Sequence, residues 1–76
     1  MKQVLEFIIK GLVEHPEAVR IKEESSGNAV QFQVEVAPGD LGRVIGKKGK
    51  TAKALRFVMS AAATRRRQHV AVKFLE

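Results

Sequence analysis

Cysteine, tryptophan and tyrosine are absent from this 76-residue chain, and histidine occurs only twice. Without cysteine there is no disulfide and no thiolate metal site. His15 and His69 lie far apart in sequence, and the acidic residues form no cluster beside them, so neither a metal donor set nor a nucleophile–base pair is in view. No cofactor, no small-molecule substrate and no enzymatic activity are therefore expected. No apolar run reaches the roughly 18 residues needed for a membrane span. The opening residues Met1-Lys2-Gln3-Val4-Leu5-Glu6 lack the uninterrupted apolar stretch of a signal peptide. A cytoplasmic setting is the expectation. All four aromatic residues are phenylalanines.

What remains is small and basic. A chain of this length buries only about 60% of its unfolded surface and holds one domain, residues 1–76, with a stability of roughly 4–11 kcal/mol. The net charge is +6, but its distribution is more telling. Residues 1–38 carry four basic and six acidic side chains, whereas residues 39–76 carry ten basic and two acidic ones, Asp40 and Glu76. Concentrating the positive charge in one half is the footprint of a polyanion-binding face.

Hydrophobic periodicity predicts the elements. Val4, Leu5, Ile8, Ile9, Leu12 and Val13 recur at helical spacing, so a core-facing amphipathic helix is expected over 2–14, stopped by Pro16. Val19 and Ile21 alternate with Arg20 and Lys22 as a strand over 19–25. Ser26-Gly27-Asn28 is a turn signal. Val30, Phe32, Val34 and Val36 then alternate with Gln31, Gln33 and Glu35, which completes a hairpin. Asp40 is a candidate N-cap for a short helix containing Leu41, Val44 and Ile45. A longer helix over 51–66 presents Ala52, Leu55, Met59, Ala62 and Ala63 on one face, with Val58 beside them. Val70, Val72 and Phe74 mark a last strand, reached by a helical crossover and so parallel to the second. The expected fold is α+β: helix–strand–strand–helix–helix–strand, a three-stranded mixed sheet covered by helices on one face. Gln31, Gln33, Glu35, Ala71 and Lys73 occupy the other face.

The chemistry concentrates in Val44-Ile45-Gly46-Lys47-Lys48-Gly49-Lys50. Gly46 and Gly49 remove the side chains that would keep a ligand from the backbone. Lys47 and Lys48 place charge at the tip, and Arg43, Lys50 and Lys53 flank them. The following helix directs its N-terminal dipole to the same spot. Such a site suits nucleic-acid phosphates. Leu41 and Val44 fit either the core or an apolar groove beside the second strand, whose edge would read bases; Ile45 packs toward the core and borders the same groove. Arg65, Arg66 and Arg67 either extend the polyanion path or complement the helix dipole.

Three rival motifs fail. Gly49-Lys50-Thr51 imitates the end of a phosphate-binding Walker A loop, but that loop needs glycine where Val44 stands. An RRM stacks bases on aromatics of its open sheet face, and the open face here is Gln, Glu and Lys. A catalytic constellation lacks its parts. Two other classes stay open on the residues alone: a protein-interaction module whose basic face meets an acidic partner, and a DNA-binding architectural protein.

Ile45-Gly46-Lys47-Lys48-Gly49 resembles the I-G-x-x-G signature of KH domains. The order of elements matches the type II, prokaryotic KH topology over nearly the whole chain. Its size, and the stretch from Gly46 through Lys50-Thr51-Ala52-Lys53-Ala54-Leu55-Arg56, are similar to small bacterial single-KH proteins of the KhpA family. Ala52 departs from the larger aliphatic residue found in many KH domains, which implies a smaller core contact. The resemblance implies RNA chaperoning on single-stranded RNA, gripped about four nucleotides at a time. It also implies homodimers, heterodimers with a larger KH-containing protein, KhpB, and in some bacteria a link to cell elongation and cell-wall synthesis.

Overall fold

The computed structural model describes residues 1–75; Glu76, counted in the charge balance, lies outside them. Helix α1 runs over Lys2–Leu12. It buries Leu5 and Ile9, one turn apart, while Lys10 pairs with Glu6 at 2.8 Å on the outer side. The helix is two residues shorter than its apolar pattern predicts, because Val13 is already extended and Pro16 opens a single 3-10 turn, Pro16–Ala18. The apolar stripe is narrower as well. Ile8 and Val13 pack against the core, but Val4 and Leu12 stay 47% and 37% exposed.

Strands β1 (Arg20–Ser26), β2 (Ala29–Glu35) and β3 (His69–Phe74) form one sheet in the order β1-β2-β3. The first pair is antiparallel, with Ile21 opposite Val34; the second is parallel, with Phe32 opposite Val72. The period-2 alternation of β2 sends Val30, Phe32 and Val34 inward, all buried, and leaves Gln31, Gln33 and Glu35 on the open face. On β1 the core-side positions are Ile21, Glu23 and Ser25, and only Ile21 is even half-buried. The far half of β1 therefore extends beyond the helical cover.

Helices α2 (Leu41–Ile45) and α3 (Lys50–Arg65) complete the layer over the sheet. Ala52, Leu55, Met59 and Ala63 are buried at i, i+3, i+7 and i+11 along α3. Their neighbours Phe57 and Val58 face outward. The arrangement is the type II KH fold, a three-stranded mixed sheet with helices on one face.

Asp40 departs from expectation. Its carboxylate makes no capping bond to α2. It instead accepts hydrogen bonds from the backbone amides of Glu14 (3.1 Å) and His15 (3.0 Å), 26 and 25 residues earlier. The side chain is 2% exposed, and Arg43 Nε lies 3.6 Å from Oδ1. One buried carboxylate thus ties the chain leaving α1 to the start of α2. Removing it leaves two amide donors without their acceptor. Asp40→Ala is expected to lower the unfolding free energy by about 3 kcal/mol, read from urea denaturation; a loss below about 0.5 kcal/mol would show that the latch is dispensable.

Candidate nucleic-acid interface

The loop between α2 and α3 reverses the chain in four residues. Gly46 sits at φ 77°, ψ 173°, a conformation essentially reserved for glycine. Its amide closes α2 by donating to the Gly42 carbonyl at 2.9 Å. A Cβ at Gly46 would overlap Thr51 Oγ1, standing 2.7 Å from Thr51 Cβ and 2.8 Å from Thr51 N. A single 3-10 turn, Lys47–Gly49, follows, with the Gly49 amide donating to Gly46 at 3.1 Å. Lys48 (φ 57°) and Gly49 (φ 74°) are both left-handed, and α3 starts at the next residue.

The two glycines therefore do different work. Gly46 is imposed from inside by Thr51. Gly49 has nothing within 4 Å of where a Cβ would stand, so its outer side is open to a ligand. Between them, Lys47 and Lys48 are exposed, and among the described residues their backbone amides donate to no protein acceptor. Two ammonium groups, two unclaimed N–H donors and the positive end of a 16-residue helix share one corner of the surface.

The flanking residues divide into two groups. Lys50 and Lys53 are exposed, three residues apart on α3 and so on neighbouring positions of one face. Among the described residues no carboxylate lies within 4.0 Å of Lys47, Lys48, Lys50 or Lys53. Arg43 is held differently: its guanidinium is paired with Glu14 and lies beside Asp40. It belongs to the brace that connects α1 to α2, with about half its side chain exposed.

Of the apolar trio, Val44 is fully buried and anchors α2 in the core. Leu41 and Ile45 are half-buried and keep surface outside it. Leu41 faces a groove of about 480 Å³ shared with Val36, Pro38, Glu35 and Leu75. Of the three, Leu41 lines this groove, Val44 belongs to the core, and Ile45 packs against the core while keeping some exposed surface. The edge expected on the second strand is likewise reassigned. Strand β2 is central and paired on both sides, so the free edges are those of β1 and β3. Along β3, the Val72 carbonyl accepts a bond from Arg56 Nε at 3.3 Å, and the Arg56 guanidinium lies 5.9 Å from the Phe74 ring centroid. Arg56 thus spans the α3–β3 seam. It continues the three-residue spacing of Lys50 and Lys53, the one signal in the sequence that marks it.

The family profile described as "KhpA/KhpB, KH domain" matches residues 2–74. The chain belongs to the KhpA/KhpB KH-domain family. It is 43% identical over 76 residues, the full length of both chains, to "RNA-binding protein KhpA" of Halalkalibacterium halodurans. It is 40% identical to the protein of the same name from Chlamydia trachomatis, across all of this chain and 97% of that one. A third relative so named, from Leifsonia xyli subsp. xyli, is 48% identical over 68 residues, 90% of each chain. These matches take in the whole 46–49 loop and both helices beside it.

The two glycines are separable by substitution. Gly46→Ala meets both a forbidden backbone region and Thr51, and is expected to cost about 3 kcal/mol or more. Gly49→Ala meets only left-handed strain, about 1–2 kcal/mol. Equal losses of unfolding free energy for the two variants would contradict this assignment.

Proposed function

We propose that this KhpA/KhpB-family chain is an RNA-binding module, one KH domain that grips the backbone of short single-stranded RNA at Gly46, Lys47, Lys48 and Gly49. The observation that carries the proposal is the pairing of unpartnered lysines with unclaimed amides on a loop whose outer side is open. A phosphate needs such a combination of charge and fixed donors. The relatives named RNA-binding protein KhpA support the same ligand class.

Lys50 and Lys53 extend the phosphate track along α3, and Arg43 sets the angle of α2 while adding long-range charge. Bases lie against Leu41 and Ile45, with Val44 supporting them from within the core. A grip of about four nucleotides is weak by itself. We propose that self-association or pairing with the KH-containing protein KhpB supplies avidity; Phe7 and Phe57, 82% and 75% exposed, are apolar surface available to such contacts. No helix among the described residues is long and apolar enough to cross a membrane. RNA chaperoning in the cytoplasm, linked to cell elongation and cell-wall synthesis, is the proposed setting, and it rests on the family resemblance.

Three or four phosphate contacts imply that log affinity falls against log salt with a slope of roughly −2 to −3. Fluorescence anisotropy with a short single-stranded RNA measures that slope. The same assay should show at least a tenfold loss, about 1.4 kcal/mol, for Lys47→Asp/Lys48→Asp, with circular dichroism unchanged. Equal binding by the folded variant, or stronger binding to duplex DNA than to the RNA, would overturn the proposal.

A further inference from the structure

Two non-glycine residues among those described have positive φ, and both are cations at the ends of the same helix. Lys48 (φ 57°) precedes α3, and Arg67 (φ 56°) follows it. Left-handed backbone is disfavoured for any residue carrying a Cβ, and helices that end this way favour glycine at that position. At Lys48 the strained position holds a cation at the tip of the binding loop. Arg67 has the same conformation and the same kind of side chain.

The left-handed backbone at Arg67 closes the end of α3, but that closure does not call for an arginine. Two of the last carbonyls of α3 accept backbone amides: Ala63 those of Arg66 and Gln68, both at 2.9 Å, and Thr64 that of Arg67 at 3.0 Å. Glycine at 67 would make the same bonds with less strain. Among the described residues none of the guanidinium groups of Arg65, Arg66 and Arg67 has a hydrogen-bond or carboxylate partner. The favourable interaction of cations with the helix C-terminus is met by Arg65 within the last turn and does not call for a left-handed arginine beyond it. Beside the cluster, Ala61 and Ala62 form with Arg65 and Arg66 an open depression of about 450 Å³.

We infer that Arg65, Arg66 and Arg67 form a second phosphate-binding site, which takes the backbone of a single strand already held at the 46–49 loop. The inference rests on the RNA-binding reading of that loop. Helix α3, Lys50–Arg65, carries the chain from the loop to the cluster, a rise from Gly49 to Arg65 on the order of 24 Å at 1.5 Å per residue. That span corresponds to about seven nucleotides at the roughly 3.4 Å axial rise per nucleotide of a stacked strand. A four-nucleotide RNA therefore reaches only the loop, and one of about twelve nucleotides reaches both sites.

The test uses the intact chain and homopolymeric single-stranded RNAs of four and twelve nucleotides, read by anisotropy across a salt series. Arg67→Gly is expected to melt no lower than wild type, because it relieves strain and keeps the backbone bonds. It should leave tetramer affinity unchanged and reduce the 12-mer salt slope by about 0.7, one single-strand phosphate contact. Arg65→Gln/Arg66→Gln should weaken 12-mer binding about fivefold or more, again sparing the tetramer. If both variants bind the 12-mer like wild type while the tetramer still binds, the second site is refuted and the loop assignment stands. If wild type binds neither RNA, both fall together. If the variants lose binding to poly-glutamate but keep the 12-mer, the cluster reads acidic protein and the inference is overturned.

Discussion

Gly46 has room only for a hydrogen where any amino acid but glycine carries a carbon. Its backbone conformation is open only to glycine, and Thr51 fills the space where a side chain would begin. That contact sets how closely α2 and α3 approach at their junction. The connection is only four residues long, Gly46 and the single turn Lys47–Gly49, which leaves the lysines no freedom to fold inward. The lysines point to solvent, and their amides stay unclaimed, because the chain must turn there in so few residues. The candidate binding surface follows from a packing constraint beneath it.

A second constraint fixes the base on which the loop stands. Asp40 accepts the amides of Glu14 and His15, and Arg43 returns to Glu14. These bonds join the end of α1 to the short α2. A five-residue helix has little stability of its own, so α2 depends on this brace and on Val44 in the core. Helix α1, remote from the loop in sequence, thereby becomes part of its support. The same brace separates the basic residues: Arg43 is held by acids, while Lys47, Lys48, Lys50 and Lys53 have no carboxylate within 4.0 Å among the described residues.

Much of this was legible in the sequence. The alternation of Val30, Phe32 and Val34 set both the strand and its buried face, and the turn at Gly27 set the hairpin. Two glycines three residues apart, with lysines between them, located the loop. What escaped depended on partners far along the chain. Asp40 has the composition of an N-cap, and nothing near it in sequence says that its acceptors serve amides 25 and 26 residues earlier. Val4 and Leu12 have the right period for the core but lie at the margins of the stripe, where no neighbour covers them. The free edge expected on β2 is absent because β2 is paired on both sides, which leaves β1 and β3 as the edges. Arg67 gave no sign of its left-handed backbone, since arginine is not the residue such a position favours.

The central claim is that the open loop, and not the sheet, is where single-stranded RNA is held. Titrating the isotopically labelled protein with a tetranucleotide RNA and following backbone amide shifts by NMR tests it most directly. The account predicts the largest shifts at Lys47, Lys48, Gly49 and Lys50, smaller ones at Leu41 and Ile45, and none at Gln31, Gln33, Ala71 or Lys73 on the open sheet face. Shifts concentrated on that sheet face, with the loop amides unmoved, would contradict it.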